Sequence, residues 1–358
     1  KNDPDNKIIL TGCAAQIHKD EFVAMNEIDS IIGNKEKLES KTYKEIKESN
    51  DRINKVGDIF EHGQAISPII KKVENRIRGF VQIQNGCDHR CTFCIIPYGR
   101  GDSRSVEPEN VVNQINTLLD QGYKEIVLTG VDLTSYGHDL ENKPNLATLV
   151  SHILFSIPNL KRLRLSSLDV AEIDKNLMDL IKYEKRILPH IHLSLQAGDN
   201  MILKRMKRRH LRDDAISVIN EIRSVRSEVV FGADIIAGFP TENDEMFQNT
   251  VDLIEDCNIT FLHIFPFSPR EGTPAARMPQ VDRYIIKKRA KILREIGKKK
   301  LLEYYDGLKN KKINVIVEDK GRGRSDTFAK VQIDNNLDNG QIVKMIVTGR
   351  NQVGLTGN

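Results

Sequence analysis

Three of the chain's five cysteines fall in one run, Cys87, Cys91 and Cys94, spaced Cys-x-x-x-Cys-x-x-Cys within the stretch Asn85 to Gly101. Thiolates at this spacing wrap a compact loop around a soft metal centre, and an iron–sulfur cube held by three cysteines leaves one iron open to a small molecule. Tetrahedral structural zinc would need a fourth ligand, from His89 in an awkward place between two of the cysteines or from far along the chain. A chance cluster of buried free thiols is the bland alternative. Ligand number and type favour iron–sulfur.

The elements that must position these cysteines read as an alternating series. Phe80 to Gln84 leads into the cysteine loop, and apolar runs follow at Glu125 to Thr129, Arg162 to Leu165, His190 to Leu195, Val229 to Ile236 and Thr260 to Phe265. Amphipathic stretches lie between them at Pro108 to Asp120, Leu146 to Ser156, Asp213 to Val225 and Asp244 to Asp256. Strand and helix in alternation predict parallel strands joined by right-handed crossovers. Six such units predict an open (β/α)6 barrel in which reactive groups gather where strands end.

Several residues sit at those ends. Gly130 and Asp132 follow the second strand, where glycine permits close backbone approach and the carboxylate can accept from an ammonium; a capped turn would look the same. Ser166, Ser194 and Gln196 are weaker candidates for ribose or carboxylate contacts. Gly238, Pro240 and Glu242 mark a strand that turns tightly into a helix. Asp234 reads equally as a buried structural carboxylate, while His263 and Cys257 read as satisfied residues in apolar surroundings.

The wording around the cysteines, with Phe93 just before the last of them, resembles the radical S-adenosylmethionine (SAM) enzymes, and specifically the methylthiotransferases. The segment His192 to His210 is similar to the branch acting on N6-threonylcarbamoyladenosine in transfer RNA, at position 37 next to the anticodon. The resemblance implies a transferase with a [4Fe-4S] cluster on Cys87, Cys91 and Cys94. It also implies SAM contacts from Phe93, Gly130, Asp132, Ser166, Ser194, Gln196, Gly238 and Glu242. Reductive cleavage of SAM would give a 5′-deoxyadenosyl radical that takes hydrogen from C2 of the base, with an electron-donor protein and a sulfur source as further partners. Thr11 to Gln16 resembles the last of three cysteine sites in the family's N-terminal domain, so Cys13 would be one ligand of a second [4Fe-4S] cluster. The other two ligands would precede Lys1, a departure from the full pattern that reads as a fragment or an N-terminally truncated product. Rivals are a radical SAM enzyme acting on another RNA base or a ribosomal protein, and a zinc-stapled, non-catalytic RNA-binding protein.

Outside the barrel, residues 1–68 read as the remnant of an N-terminal strand-turn-helix domain followed by a charged connector over about Glu36 to Asp58. Residues 69–308 form the radical SAM domain, ending in the long basic stretch Arg283 to Asp306, which is expected to pack across the barrel or bridge to the next domain. From Lys312 the apolar period becomes two, with turns rich in Gly, Asn and Asp, so 309–358 reads as a small antiparallel β-barrel resembling the RNA-binding TRAM module. Lys207, Arg208 and Arg209 in the densest basic stretch are candidate phosphate contacts, and Arg322, Arg324 and Phe328 candidate RNA contacts in the small barrel. At 358 residues, 29% of them charged and with a net charge of +4, the chain reads as globular, without a membrane-spanning run or signal pattern, and cytoplasmic.

Overall fold

The computed structural model describes residues 6–49, 51–61, 76–352 and 354–358. At the N-terminal end β1 (Ile9–Thr11), β2 (Ser30–Ile32) and β3 (Ile53–Lys55) form a parallel sheet, with α1 (Cys13–Ile17), α2 (Lys19–Val23) and α3 (Ser40–Glu48) between them. The remnant domain is thus more complete than expected. Part of the supposed connector is a strand, its apolar signal hidden because β3 is only three residues long and half-buried.

The central domain begins with β4 (Arg78–Gln82), followed by a short hairpin of β5 (Gln84–Asn85) and β6 (Arg104–Ser105) that brackets the cysteine loop and α4 (Ile96–Arg100). Then come α5 (Pro108–Asp120), β7 (Glu125–Thr129), α6 (Leu146–Ser156), β8 (Leu163–Leu165), α7 (Lys175–Tyr183) and β9 (His190–Gln196). The series closes with α8 (Asn200–Arg205), α9 (Arg212–Val225), β10 (Val230–Ala237), α10 (Asp244–Asp256), β11 (Phe261–Pro266) and α11 (Arg283–Asp306). The sheets β4-β7-β8 and β9-β10-β11 are parallel throughout. Bridges from Leu163 to Ile187 and Leu168 to Leu193 join them into six strands. Among the described residues no pairing joins β11 back to β4, so the barrel is open.

Helix starts follow local chemistry. Asn145, Asp174 and Asn243 each accept a hydrogen bond from a backbone N–H three residues on, and Pro108 opens α5. Such caps contribute about 1 kcal/mol apiece. Alternate strand residues such as Ile126, Leu128, Leu193, Leu195, Ala233 and Ile235 face the helices and form the core. The opposite, inward face is polar: Glu125, Arg162, Arg164, His190, His192 and Asp234. Parallel strands covered on both faces are normally apolar on both. This one carries function or a polar floor.

Residues 307–358 lead out of α11 and form a closed barrel, β12 (Lys312–Asp319), β13 (Arg322–Ser325), β14 (Lys330–Gln332), β15 (Ile342–Arg350) and β16 (Leu355–Gly357), ordered β12-β13-β14-β16-β15. Helix α11 bridges the two, packing on β10 and β11 through Ala290 and Leu293 and entering the small barrel's core at Tyr305. The expected boundary at 308/309 falls between α11 and β12; that at 68/69 lies outside the described residues.

Candidate functional site

The cysteine loop is shaped by the turn at Gly86, whose φ is +79° and where a Cβ would lie 1.9 Å from the Asp102 carbonyl oxygen, so only glycine fits. From there the loop is tied down on several sides. Cys87 N–H donates to Gly101 O (3.1 Å), Thr92 N–H to Met206 O (3.1 Å) and Ala275 N–H to Thr92 O (2.9 Å). Phe93 meets Phe239 edge-on, with ring centroids 6.4 Å apart, in an apolar cluster with Ile236, Phe267 and Ala275. Cys87, Cys91 and Cys94 remain half-buried free thiols.

Burial pushes the Cys87 thiol up to about 12, with Asp132 and the neighbouring Cys91 and Cys94 acting in the same direction. Burial also raises Cys94. A metal centre beside Cys87 and Cys94 would favour their thiolates. Among the described residues no fourth cysteine joins these three, a donor set that suits an iron–sulfur cube better than tetrahedral zinc.

Several strand-end candidates converge on the same mouth. Asp132 lies against Cys87, its Oδ2 3.7 Å from the Sγ, and takes a bond from Ser135 Oγ (2.7 Å) and an ion pair from His89 (2.7 Å). Its N–H donates to Gln84 Oε1 (2.9 Å), which fixes the Gly130–Asp132 turn over the start of the cysteine loop. The hydrogen bond to Asp132, and a second to Glu172, raise His89 to about 10. Ser166 and Ser194 sit half-buried on adjoining strand ends; Gln196 and Thr241 hold positive φ (both +68°), as does Lys207 (+58°). Strained backbone gathered at one mouth is a mark of a working site.

Other candidates are committed elsewhere. Glu242, almost fully buried, turns its carboxylate back to accept from Gly238 N–H (3.0 Å) and Arg289 (2.8 Å), bracing the turn rather than facing the mouth. Burial raises it to about 7 against the pull of Arg289. Arg208 pairs with Asp169 (3.0 Å) and donates to Ser194 O (2.7 Å); Arg209 pairs with Glu172 (2.8 Å). Arg208 lines the mouth's wall, committed to Asp169 and Ser194, whereas Arg209 and Lys207 are exposed. Phe328 is stacked on His190 (4.8 Å), with Arg324 (4.2 Å) and Arg164 (5.0 Å) over its ring. Its faces are covered, so it plugs the barrel floor and offers no platform to a base. Arg324 is held with it, while Arg322 stays exposed.

Cys13 opens α1, which packs on α4 so closely that a Cβ at Gly99 would meet Cys13 Cβ at 2.9 Å. Asn34 Nδ2 donates to Gly99 O (2.5 Å) and contacts Cys13 Sγ (3.6 Å). The N-terminal sheet therefore lies beside the cysteine loop.

Two clusters escaped sequence reasoning. One is the wall of His89, Asp132, Asp169, Glu172 and Arg209 just described. The other lies inside the barrel, where Asp234 Oδ1 takes His192 Nε2 (3.0 Å) and His263 Nδ1 (3.2 Å). The signal was present: each residue of the second cluster occupies an inward strand position four residues before the strand-end turn.

A six-stranded parallel barrel with three cysteines at its mouth defines the radical SAM class, and residues 81–254 match the Radical SAM superfamily. A radical SAM methyltransferase of Kitasatospora setae shares the fold, with a TM-score of 0.56 at 16% identity over 76% of this chain and 57% of that one. The threonylcarbamoyladenosine tRNA methylthiotransferase of Rickettsia prowazekii is 48% identical over 98% of this chain and 82% of its own length. That of Bacillus subtilis is 33% identical over 96% and 79%. The tRNA-2-methylthio-N(6)-dimethylallyladenosine synthase of Neorickettsia sennetsu is 33% identical over 96% and 74%. The chain belongs to the radical SAM tRNA methylthiotransferase family, in its threonylcarbamoyladenosine branch. Among the described residues no helix is long and apolar enough to cross a membrane.

Proposed function

We propose that this chain adds a methylthio group to C2 of N6-threonylcarbamoyladenosine beside the anticodon of tRNA. The observation that carries the reading is the likeness to the Rickettsia enzyme along nearly the whole chain. Cys87, Cys91 and Cys94 would hold the [4Fe-4S] cluster, and SAM would lie over the strand ends between Phe93, Gly130, Asp132, Ser166, Ser194, Gln196 and Gly238. When bound, these groups supply the one-electron reduction and hydrogen abstraction that an unactivated C2–H requires.

The chain's own residues do the rest. Asp132, beside Cys87, would accept from the methionyl ammonium, while Ser194 and Gln196 would meet ribose hydroxyls. The Phe93–Phe239–Phe267 cluster keeps water from one side of the loop. Glu242 acts on the site through the backbone of Gly238. Cys13 is placed beside α4 for a second cluster. One thiolate does not hold a cube, and Cys257 is buried in the core at the end of α10, away from Cys13. Electron-donor protein, sulfur source and tRNA are the partners the reaction requires, in the cytoplasm.

The test is anaerobic reconstitution with iron and sulfide, metal counting, then reductant, SAM and tRNA carrying threonylcarbamoyladenosine. About four irons on the cysteine loop, 5′-deoxyadenosine and a methylthio mass shift in the RNA are the expected results. Zinc in place of iron, with SAM left intact, would sink the reading.

A further inference from the structure

We propose that the His192, Asp234 and His263 cluster reads the substituent on N6 of the target adenosine, taking the carboxylate and hydroxyl of a threonylcarbamoyl group and rejecting an apolar alkenyl one. This rests on the tRNA reading above and deepens it.

Placement comes first. His192 on β9, Asp234 on β10 and His263 on β11 occupy inward positions on three adjacent strands, facing away from the helix-side core. Each lies four residues before a strand-end residue, Gln196, Gly238 or Phe267, which at about 3.3 Å per residue is about 13 Å below the mouth. In adenine N1 lies between C2 and C6, and C6 bears N6. A base that enters the barrel with C2 toward the strand ends therefore has its N6 substituent two ring positions away, directed at the interior of the barrel.

Exposure distinguishes the cluster from an ordinary buried network. His190, one step further down the same face of β9, is buried, stacked on Phe328 and held neutral by desolvation, with the charge of Arg164 adding to it. The His263 side chain is 62% exposed although it sits on a barrel strand. Among the described residues nothing pairs between β11 and β4, and Phe265 on β11 and Phe80 on β4 are likewise exposed. This gap is the way in from the side, with two aromatic surfaces for a flat base and one polar group beyond them.

Among the described residues the hydrogen bonding leaves His263 Nε2 without a partner. Asp234 Oδ1 receives both rings, so its charge is spoken for; Nδ1 of His263 is used in that bond, and Nε2 points elsewhere. The Asp234 bond also holds His263 above the ordinary histidine range, so both ring nitrogens carry protons more readily. Nε2–H then donates to a carboxylate in a charge-assisted bond. A dimethylallyl group in the same place would strip water from His263 and Asp234 and return no hydrogen bond. His192, Asp234 and His263 also have the donor types and spacing of a divalent-cation site, and the metal measurement below separates the two uses. Overall similarity favours the threonylcarbamoyl-directed relatives, at 48% against 33% for a dimethylallyl-directed one, and names no residue that tells the two substituents apart.

The experiment uses the reconstituted chain and three anticodon stem-loop RNAs of one sequence, carrying adenosine, N6-threonylcarbamoyladenosine or N6-dimethylallyladenosine. Affinity is read by fluorescence anisotropy, and methylthio formation gives KM and kcat. The wild type is expected to prefer the threonylcarbamoyl loop. His263→Leu is expected to lower its affinity ratio over the unmodified loop by about 10- to 100-fold, the worth of one hydrogen bond to a charged group, chiefly in KM. Asp234→Asn should lower it in the same direction, and His263→Gln should recover part of it. A purely structural role would weaken all three RNAs together and overturn the proposal, as would variants that keep the wild-type ratio. One equivalent of a divalent metal other than iron, lost in His263→Gln, would also overturn it. A wild type that modifies none of the RNAs sinks the tRNA reading itself. That outcome is separable from a wild type that modifies the threonylcarbamoyl loop and whose His263 variants keep its preference.

Discussion

Removing Glu125 should loosen both the barrel floor and the domain docked on it. Its carboxylate is fully buried and pairs with Arg162 (2.9 Å) and Arg164 (2.6 Å). Arg162 continues to Asp326 of the small barrel, and Arg164 donates to the Asp326 and Ser325 carbonyls at 3.0 and 3.1 Å. Glu125→Ala leaves Arg162 with the Asp326 carboxylate and buried Arg164 with backbone carbonyls alone, a loss of about 3–5 kcal/mol. For a domain of this size, that corresponds to a thermal midpoint lower by roughly 6–20 °C. Calorimetry measures the shift, and limited trypsinolysis reports whether residues 309–358 detach first. The triple variant Glu125→Leu, Arg162→Met, Arg164→Met should recover most of the loss, since the one charge left there is Asp326, partly exposed and still bonded by Asn314. A midpoint lowered by less than about 2 °C in Glu125→Ala would refute the reasoning, because it would mean that water already reaches the floor.

Cys87→Ala and Cys94→Ala should each abolish iron–sulfur absorbance after reconstitution, and full iron retention in either would remove that cysteine from the ligand set. Burial opposes ionisation of Glu172, but the hydrogen bond from His89, with those from Thr134 and Arg209, holds it near 2. Its contribution is present above about pH 4.5 and lost as pH falls toward 2, about 3 kcal/mol in all. Acid unfolding of wild type against Glu172→Gln measures it, and the variant should show a shallower acid limb. Gly99→Leu should push α1 off α4, seen as faster proteolysis within residues 6–49 with the barrel intact; unchanged cleavage would mean that the two helices do not pack. Phe328→Ala should destabilise the inter-domain contact by about 3 kcal/mol, read by the same trypsin assay.

Where one periodicity governed a segment, the sequence was legible. The bounds of α5, α6, α10 and β7 coincide with the apolar spacing, and the change of period at Lys312 marks the small barrel's first strand. Short elements were not legible: β3 has three residues, and α8 has six and stops at Arg205, before Lys207, Arg208 and Arg209. The cysteine run was readable because ligand spacing is local. The roles of Arg208, Glu242 and Phe328 were not, because each is decided by a partner far along the chain, respectively Asp169, Arg289 and His190. Charge alone cannot tell an arginine that binds phosphate from one that closes a buried carboxylate.

That distinction runs through the whole molecule and sets a last prediction. Arg162, Arg164, Arg208, Arg226 and Arg289 are turned inward onto carboxylates or backbone carbonyls, so these five build the barrel. The lysines stay outside: Lys287, Lys288, Lys291, Lys298 and Lys299 are exposed along α11, and Lys320, Lys330 and Lys344 join Arg322 on the small barrel. RNA affinity should then depend on the second set, and through counterion release its logarithm should fall linearly with the logarithm of salt concentration. Replacing Lys320, Arg322 and Lys330 by Gln should reduce that slope by about 2–3, close to one for each phosphate that is no longer neutralised. The effect should be the same for threonylcarbamoyl and unmodified stem-loops, because phosphate contacts carry no base information. An unchanged slope would place the RNA on another face and leave the small barrel as the plug of the barrel floor alone.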